Sequence, residues 1–230
     1  AAAAALTSRA RLGHLVAANT FSHPALVAKM IATIDQISGG RAILGLGAGW
    51  FELEHSVYGL DFGRSPGERI ERLGEAVTII RRLLDGERFD HAGRFYALRD
   101  ASIAPLPIQP RLPILIGGSG PRRTLPLVAR AADLWNAYGS PEAIAAAGTR
   151  LDEACRLVGR DPGAIEWTAT LDVVIRPTVD EAEAAHAAVV ERHRPQPDEV
   201  ALDLGGPPEV VAAGLRRYAA VGVRHTIWVL

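Results

Sequence analysis

Residues 43–50 read ILGLGAGW, an apolar run that ends in alternating glycines. The first half of this run is typical of a β-strand covered on both faces, as in a parallel sheet. Gly45, Gly47 and Gly49 leave the backbone free of side chains where a ligand can approach. The run lacks the lysine of a P-loop and the spacing of a dinucleotide fingerprint. It predicts either a ligand wall at a strand end or close packing at a turn.

A second glycine-rich strand end lies in residues 114–130, ILIGGSGPRRTLPLVAR. The segment Gly117–Gly120 stands between an apolar strand and a helix predicted to start at Arg122. Free amides and the dipole of a helix start attract anions, and the Ser119 hydroxyl adds a donor. The pattern predicts a phosphate site or a simple helix cap.

A third strand end is VAANTFSHP, residues 16–24, where small and amide residues gather. Asn19 and Thr20 suit either of two roles. Their side chains can hydrogen-bond a flat heterocycle, or they can cap the helix that follows. The residues themselves leave both interpretations open.

Apolar runs alternate with longer amphipathic segments along the chain, which indicates βαβ units and a parallel sheet. Strands are predicted at residues 12–18, 42–46, 113–116, 133–138, 165–175 and 225–230. Helices are predicted at residues 20–38, 68–84, 122–132, 141–158, 180–193 and 208–221. Residues 50–66 and 194–208 are expected to be irregular, and residues 87–112 to form an insertion with a hairpin around Gly93.

Glycine-rich ends on several strands favour an α/β fold of the (β/α)8 TIM-barrel type over an open doubly wound sheet. Barrels build their sites from C-terminal strand ends. Such a barrel usually needs about 250 residues, and the first residues, AAAAAL, look like the end of a helix. We therefore expect a single barrel domain over residues 1–230, truncated at the N-terminus, with an insertion at about 87–112.

Composition and motifs argue against several functions. The formal net charge is −1 and no basic patch stands out, so nucleic-acid binding is not expected. The single cysteine, Cys155, excludes an intrachain disulfide and lies among apolar neighbours, like a packed residue in a reducing cytoplasm. Metal motifs such as HExxH and CxxC are absent, as is an apolar run of the roughly 18 residues that span a membrane. We expect a cytoplasmic protein with a small-molecule substrate and no metal.

Candidate catalytic groups lie near the predicted strand ends. His23 follows the first strand, and Glu52 and His55 follow the glycine run of the second. Imidazole and carboxylate groups are common general acids and bases, although acidic loop residues are more often solvated. Trp50 and Trp135 are placed to line a cofactor cleft.

Four segments in this order resemble the luciferase-like monooxygenase superfamily, and within it the branch of F420-dependent oxidoreductases. They are residues 8–55, 67–87 (GERIERLGEAVTIIRRLLDGE), 93–120 (GRFYALRDASIAPLPIQPRLPILIGGSG) and 122–136 (RRTLPLVARAADLWN). The resemblance covers essentially the whole chain. It implies a (β/α)8 barrel with an insertion region, a cofactor F420 or FMN at the C-terminal mouth, and a homodimer.

The resemblance also implies which residues contact the cofactor. In this family the strand corresponding to residues 12–18 carries a bulge behind the ring, often with a non-prolyl cis peptide, here near Leu15–Ala17. The implied cofactor-binding residues are Val16, Ala17, Ala18, Asn19 and Thr20 beside the ring, Gly47, Ala48 and Gly49 on the next strand, and Gly117, Gly118, Ser119 and Gly120 at the phosphate. In the sugar-phosphate dehydrogenases of this branch an acid follows the glycine loop, where this chain has Trp50; this disfavours their proton-donor chemistry.

The function implied by the resemblance is hydride transfer between deazaflavin F420 and a small organic substrate. One alternative is an FMN-dependent monooxygenase that activates O₂, and another is a flavin-binding barrel without catalysis. The first two family strands and their loops, which usually supply ring contacts and catalytic groups, are expected to lie outside this sequence. The catalytic residues therefore stay unassigned beyond the candidates His23, His55 and Glu52.

Overall fold

The structure, a computed structural model, describes residues 1–193 and 202–229. The helices are α1 (Ala2–Leu6), α2 (Pro24–Ser38), α3 (Glu52–Tyr58), α4 (Pro66–Leu84), α5 (Thr124–Ala131), α6 (Pro141–Leu157), α7 (Val179–His193) and α8 (Pro208–Ala220). The strands are β1 (Leu12–Gly13), β2 (Ala17–Ala18), β3 (Ala42–Gly47), β4 (Phe89–Ala92), β5 (Ala97–Ala101), β6 (Ile114–Gly117), β7 (Leu134–Ala137), β8 (Glu166–Ile175), β9 (Leu204–Gly206) and β10 (His225–Val229).

A parallel sheet in the order β1–β3–β6–β7–β8–β10 organises the fold. The strand β2 also pairs with β3, and β9 pairs with β8, again in parallel. Helices connect successive strands, and the sheet curls into a half-barrel. The predicted α/β barrel architecture is thus confirmed, with β1 and β10 at the two ends of the sheet in the described part of the chain.

Side chains on the outer face of the sheet form the core with the helices. Leu46 of β3 pairs in register with Ile116 of β6, which pairs with Trp135 of β7. All three are fully buried in one cluster with helix side chains such as Ile80. Each large apolar side chain buried in this way stabilises the fold by roughly 1.5–3 kcal/mol. The core therefore lies between sheet and helices.

The segment His14–Val16 lies against the opposite, inner face of β3. A Cβ at Gly45 would overlap the His14 carbonyl oxygen, and one at Gly47 would lie 2.6 Å from Val16 Cγ2. The strand predicted over residues 12–18 is therefore interrupted: β1 and β2 flank this segment, and the Leu15–Val16 peptide is cis. The bulge and cis peptide implied near Leu15–Ala17 are confirmed.

Two predictions around the first glycine run were wrong. The helix predicted from Thr20 begins at Pro24, because residues 19–21 form a 3-10 turn and His23 caps α2. Residues 50–66, predicted to be irregular, contain α3, which ends at Gly59 in the left-handed conformation (φ 66°). The apolar periodicity of the sequence does not reveal α3, because this helix exposes its apolar residues and buries His55.

The hairpin predicted around Gly93 is confirmed, since β4 and β5 pair antiparallel. The Glu75 carboxylate of α4 accepts hydrogen bonds from the backbone amides of Arg94, Phe95 and Tyr96 and contacts His91 Nε2 at 3.1 Å. Burial opposes ionisation of this carboxyl, but these partners outweigh it and lower the pKa of Glu75. This half-buried carboxylate thus fixes the hairpin tip to the barrel.

A second carboxylate, this one fully buried, fixes the return of the insertion. Asp35 is fully buried at the end of α2 and accepts hydrogen bonds from the backbone amides of Ile108 and Gln109, at 2.8 and 3.0 Å. The Gln109 side chain adds a third, at 2.7 Å, and also donates to the Ala42 carbonyl. Residues 102–112 are therefore ordered by side chains rather than by a ladder.

The remaining segments follow the prediction with one exception. Residues 204–206 form β9 instead of loop, whereas residues 194–201 of the same predicted loop lie outside the described residues.

Cys155 is fully buried, and burial raises the pKa of its thiol, in agreement with a packing role. In the described ranges no helix is long and apolar enough to cross a membrane. No three His, Cys, Asp or Glu side chains of that part come together as a metal site.

Replacing Gly45 by alanine is expected to destabilise the protein by about 3 kcal/mol or more, because a backbone oxygen cannot move aside as a side chain can. The matched control is Gly74→Ala, within α4. The new Cβ would lie 3.5 Å from Leu127 of α5, at ordinary contact distance. This change is expected to be neutral or to stabilise by up to about 1 kcal/mol. Urea unfolding measures both, with soluble yield as the readout if Gly45→Ala does not fold. Equal stability of the two variants would contradict the close approach.

Glu75→Gln is expected to cost about 2 kcal/mol near neutral pH, since an amide replaces a carboxylate that accepts several hydrogen bonds. The lowered pKa of Glu75 means that the carboxylate stabilises the folded state above its usual pKa. This stabilisation is lost as pH falls through the lowered value. Urea unfolding of both proteins between about pH 7 and about pH 3 should therefore show the difference shrinking toward acid. A constant difference across this range would count against the ionised form.

Candidate functional site

The strand register brings the three predicted strand ends to one edge of the sheet. Ala18 lies beside Gly47, and Leu46 lies beside Ile116. Gly117 in turn lies beside Asn136 of β7. Because these strands are parallel, their C-terminal ends form one mouth, as in barrel enzymes. The prediction that the three segments share a site is consistent with this arrangement.

Val16 occupies the centre of the inner face below this mouth. Its methyl groups lie 2.6 Å from a Cβ built on Gly47 and 3.5 Å from one built on Gly117. Gly47 therefore makes room for Val16, whereas a Cβ on Gly117 would be in ordinary contact with it. Ala17 and Ala18 continue past it as β2, half-buried at the mouth. The wall consists of backbone and small side chains, which suits the face of a flat ring.

Thr20, His55 and Gly49 form a second group at the same edge. Thr20 Oγ1 lies 2.6 Å from His55 Nε2, and His55 Nδ1 lies 2.7 Å from the Phe51 carbonyl oxygen. Gly49 has a positive φ of 83°, and a Cβ on it would lie 2.8 Å from Thr20 Oγ1. Ala48, between Gly47 and Gly49, is half-buried and packs against the core. The loops after β2 and β3 are thus joined through His55.

The predicted phosphate segment is held by the neighbouring strand β7. Gly118 has a φ of 113°, and its amide donates to the Asn136 carbonyl at 3.0 Å. The indole N–H of Trp135 donates to the Gly118 carbonyl at 2.8 Å. Trp135 is fully buried against Trp167 on the helix side, so the prediction that it lines a cofactor cleft was wrong. It fixes the turn from behind instead.

The start of α5 differs from the predicted helix start at Arg122, on which the predicted anion site depended. The helix begins at Thr124, not Arg122, and the Leu125 amide already donates to the Gly120 carbonyl at 3.0 Å. Pro126, the next residue, has no amide hydrogen. Arg123 extends to α4 and pairs with Glu71 at 2.7 Å. A phosphate here would therefore depend on the loop amides and hydroxyls around half-buried Ser119.

Three predicted site residues direct their side chains elsewhere. Asn19 is buried, and its amide donates to the Tyr96 hydroxyl at 3.1 Å, beneath the hairpin; burial raises the pKa of Tyr96. His23 Nδ1 accepts from the Ala25 amide at 3.3 Å as the cap of α2. Glu52 is exposed in the first turn of α3.

A buried polar cluster on the inner face of the sheet was not predicted from the sequence. Asn136 Nδ2 donates to Thr168 Oγ1 at 2.9 Å and to Thr170 Oγ1 at 3.2 Å, and Thr170 donates back to Asn136 Oδ1. The exposed fractions of these three residues are 0, 1 and 5%. Polar residues alternate with apolar ones along β8, and this alternation is the sequence signal that indicates a polar inner face. The interior opposite Val16 is therefore polar but internally satisfied.

The geometry agrees with a comparison against known families, in which residues 1–225 match the model of the luciferase-like monooxygenases. The chain belongs to this family. Its members are oxidoreductases and monooxygenases, so the resemblance seen in the sequence is confirmed.

Curated relatives of this family member differ in activity. An uncharacterised protein of Mycobacterium tuberculosis is 34% identical over 93% of this chain and 73% of its own length. The F420-dependent glucose-6-phosphate dehydrogenase of Microbacterium testaceum is 41% identical over 52% of this chain and 35% of its own. Pyrimidine monooxygenase RutA of Cronobacter sakazakii is 33% identical over 86% of this chain and 57% of its own. These relatives establish the family and leave its individual reaction open.

Solved structures share the fold. An F420-dependent secondary alcohol dehydrogenase, in complex with an F420–acetone adduct, superposes with a TM-score of 0.85 at 21% identity over 99% of this chain and 76% of its own. The F420-dependent tetrahydromethanopterin reductase of Methanopyrus kandleri gives 0.82 at 22% identity, over 98% and 78%. At such identities the likeness concerns the fold alone.

Proposed function

We propose that this protein transfers a hydride between deazaflavin F420 and a small organic substrate. The observation that carries the proposal is the mouth itself, in which Val16, Gly47 and Gly117 form a wall without long side chains. The wall continues into the loop of Gly118 and Ser119. Relatives and structural neighbours with F420 in their names support this cofactor.

The residues present fit a flat ring that carries a phosphate arm. A ring needs a bare, rigid wall, and Val16 is packed on Gly47, where a Cβ would clash with it, and beside Gly117. A phosphate needs amide and hydroxyl donors, and the turn at Gly118 is held open by Trp135 from behind, with Ser119 half-buried beside it. Backbone donors of this kind bind phosphate without a lysine.

When bound, the deazaflavin would supply the hydride chemistry, as cofactors generally do. The share of this chain would be to position the ring against Val16 and the glycine wall and to exclude water from its inner face. Thr20 would offer a hydroxyl at the rim. Trp50, which is 66% exposed after the glycine loop, would present an apolar surface to the substrate.

A monooxygenase that uses FMN is the second candidate. The likeness to pyrimidine monooxygenase RutA, over 86% of this chain, favours it. The same wall and the same phosphate loop would serve this cofactor, because both molecules have a tricyclic ring and a phosphate arm. A flavin-binding barrel without catalysis is the third alternative. The homodimer and the cytoplasmic location stay predictions.

The first test is a fluorescence titration of the protein with F420 and with FMN. We expect F420 to bind at least about tenfold more tightly than FMN, a difference of about 1.4 kcal/mol. Tighter binding of FMN would overturn the deazaflavin assignment in favour of the monooxygenase. Binding of F420 without any change in its absorbance, across alcohols, aldehydes and sugar phosphates, would favour the non-catalytic barrel.

The second test addresses the phosphate loop with Gly118→Ala. A side chain at φ 113° strains the turn, and we expect F420 affinity to fall about tenfold or more. The matched control is Gly159→Ala, which also has a positive φ (71°) and open space around it, at the end of α6. It should lose similar stability and no affinity.

A deazaflavin that lacks the phosphate arm separates the two parts of the site. It should bind more weakly than F420 and respond little to Gly118→Ala, because it does not reach the loop. Equal losses for both ligands would mean that Gly118 supports the ring wall and not the phosphate.

A further inference from the structure

We propose that His55 is a positioning residue that holds Thr20 and the Gly49 loop in place at the mouth. It leaves the Thr20 oxygen free to accept a hydrogen bond from a bound molecule. The inference rests on the proposed function, because the molecule at the mouth would be the cofactor. It assigns His55 a role different from the acid–base role expected from its place in the sequence.

The hydrogen bonds of His55 fix the direction of donation. The Phe51 carbonyl oxygen can only accept, so Nδ1, at 2.7 Å from it, carries the ring proton. In the neutral ring Nε2 is then an acceptor, and the Thr20 hydroxyl, at 2.6 Å, donates to it. With its proton committed to His55, Thr20 Oγ1 offers lone pairs to an N–H or O–H of a ligand.

The surroundings of His55 make it a poor proton-transfer group and a good anchor. Its exposed fraction is 1%, and its ring packs against Phe21 and Phe62, with centroids 4.8 and 4.6 Å away. Both ring nitrogens have partners within the protein. A buried imidazole with both nitrogens in use orients its neighbours rather than meeting substrate.

Gly49 connects this anchor to the cofactor wall. A Cβ on Gly49 would lie 2.8 Å from Thr20 Oγ1 and 3.6 Å from the His55 ring. The Gly49 carbonyl accepts from Arg69 Nε at 3.0 Å, and the Arg69 guanidinium stacks over Phe62 at 3.8 Å. Thr20, which follows β2, and Gly49, which follows β3, are therefore held in one arrangement by one buried cluster.

The test compares substitutions that separate hydrogen bonding from packing. His55→Gln can place an oxygen near the Nε2 position and accept from Thr20, whereas His55→Phe keeps only the aromatic packing. We expect His55→Gln to retain F420 affinity within about threefold, and His55→Phe to lose about tenfold. Equal affinities of the two variants would overturn the proposal, since packing alone would then suffice.

Variants of Thr20 supply the matched pair on the other side of the contact. Thr20→Ser keeps the hydroxyl and is expected to bind F420 like the wild type, whereas Thr20→Val should lose about tenfold. The double variant Thr20→Val with His55→Phe should be no weaker than either single variant, because both remove the same hydrogen bond. Additive losses would show two independent effects and contradict the coupling.

Two further readouts keep the outcomes distinct. Nitrogen-15 NMR of the wild type should report the Nδ1–H tautomer of His55, and a proton on Nε2 alone would overturn the assignment. Thermal unfolding of each variant separates loss of folding from loss of affinity. If the wild type binds neither F420 nor FMN, the proposed function and this inference both fail. If it binds F420 and all variants bind equally, only this inference fails.

Discussion

The His14–Val16 segment lies on the inner face of the sheet, and the space it needs determines the rest of the mouth. Backbone passes so close to β3 that Gly45 has no room for a Cβ, and Val16 takes the space that a side chain at Gly47 would occupy. The residues that alternate with these glycines, Leu44 and Leu46 of β3, and their neighbours Ile114 and Ile116 of β6 face the helices, where they build the core. What remains at the mouth is backbone, small residues and a few hydroxyls, which is the surface that a planar ligand needs.

The glycine spacing in residues 43–50 predicted a wall at a strand end but not the reason for each glycine. Gly45 and Gly47 are required by chain packing, whereas Gly49 is required by a positive φ. Sequence periodicity cannot separate these causes, because the contact partner lies about thirty residues away. The bulge near Leu15–Ala17 followed from the family resemblance, and no propensity rule would place it.

Other features depended on contacts that a single sequence does not display. The parallel α/β sheet followed from the alternation of apolar runs with amphipathic segments, and the barrel followed from the glycine-rich ends on several strands. The Asn136 cluster required the register of β7 and β8, because its three side chains are ordinary polar residues until they are paired. Trp135 was assigned to a cleft because an aromatic near a strand end fits both faces equally. Only the pairing of β6 with β7 shows which face of the sheet Trp135 occupies, and that face lies behind Gly118.

The two sides of the mouth are held by different chemistry, and this difference has consequences for how the site can vary. On the Gly118 side, main-chain and indole hydrogen bonds from β7 fix the turn, so the geometry follows from the sheet itself. On the Thr20 side, the loop is held by side chains of α3 and α4, namely His55 and Arg69. The Gly118 turn thus depends on main-chain positions and one indole, whereas the Thr20 loop depends on the two side chains that anchor it. The Thr20 side of the mouth is therefore the side whose geometry changes when His55 or Arg69 is replaced.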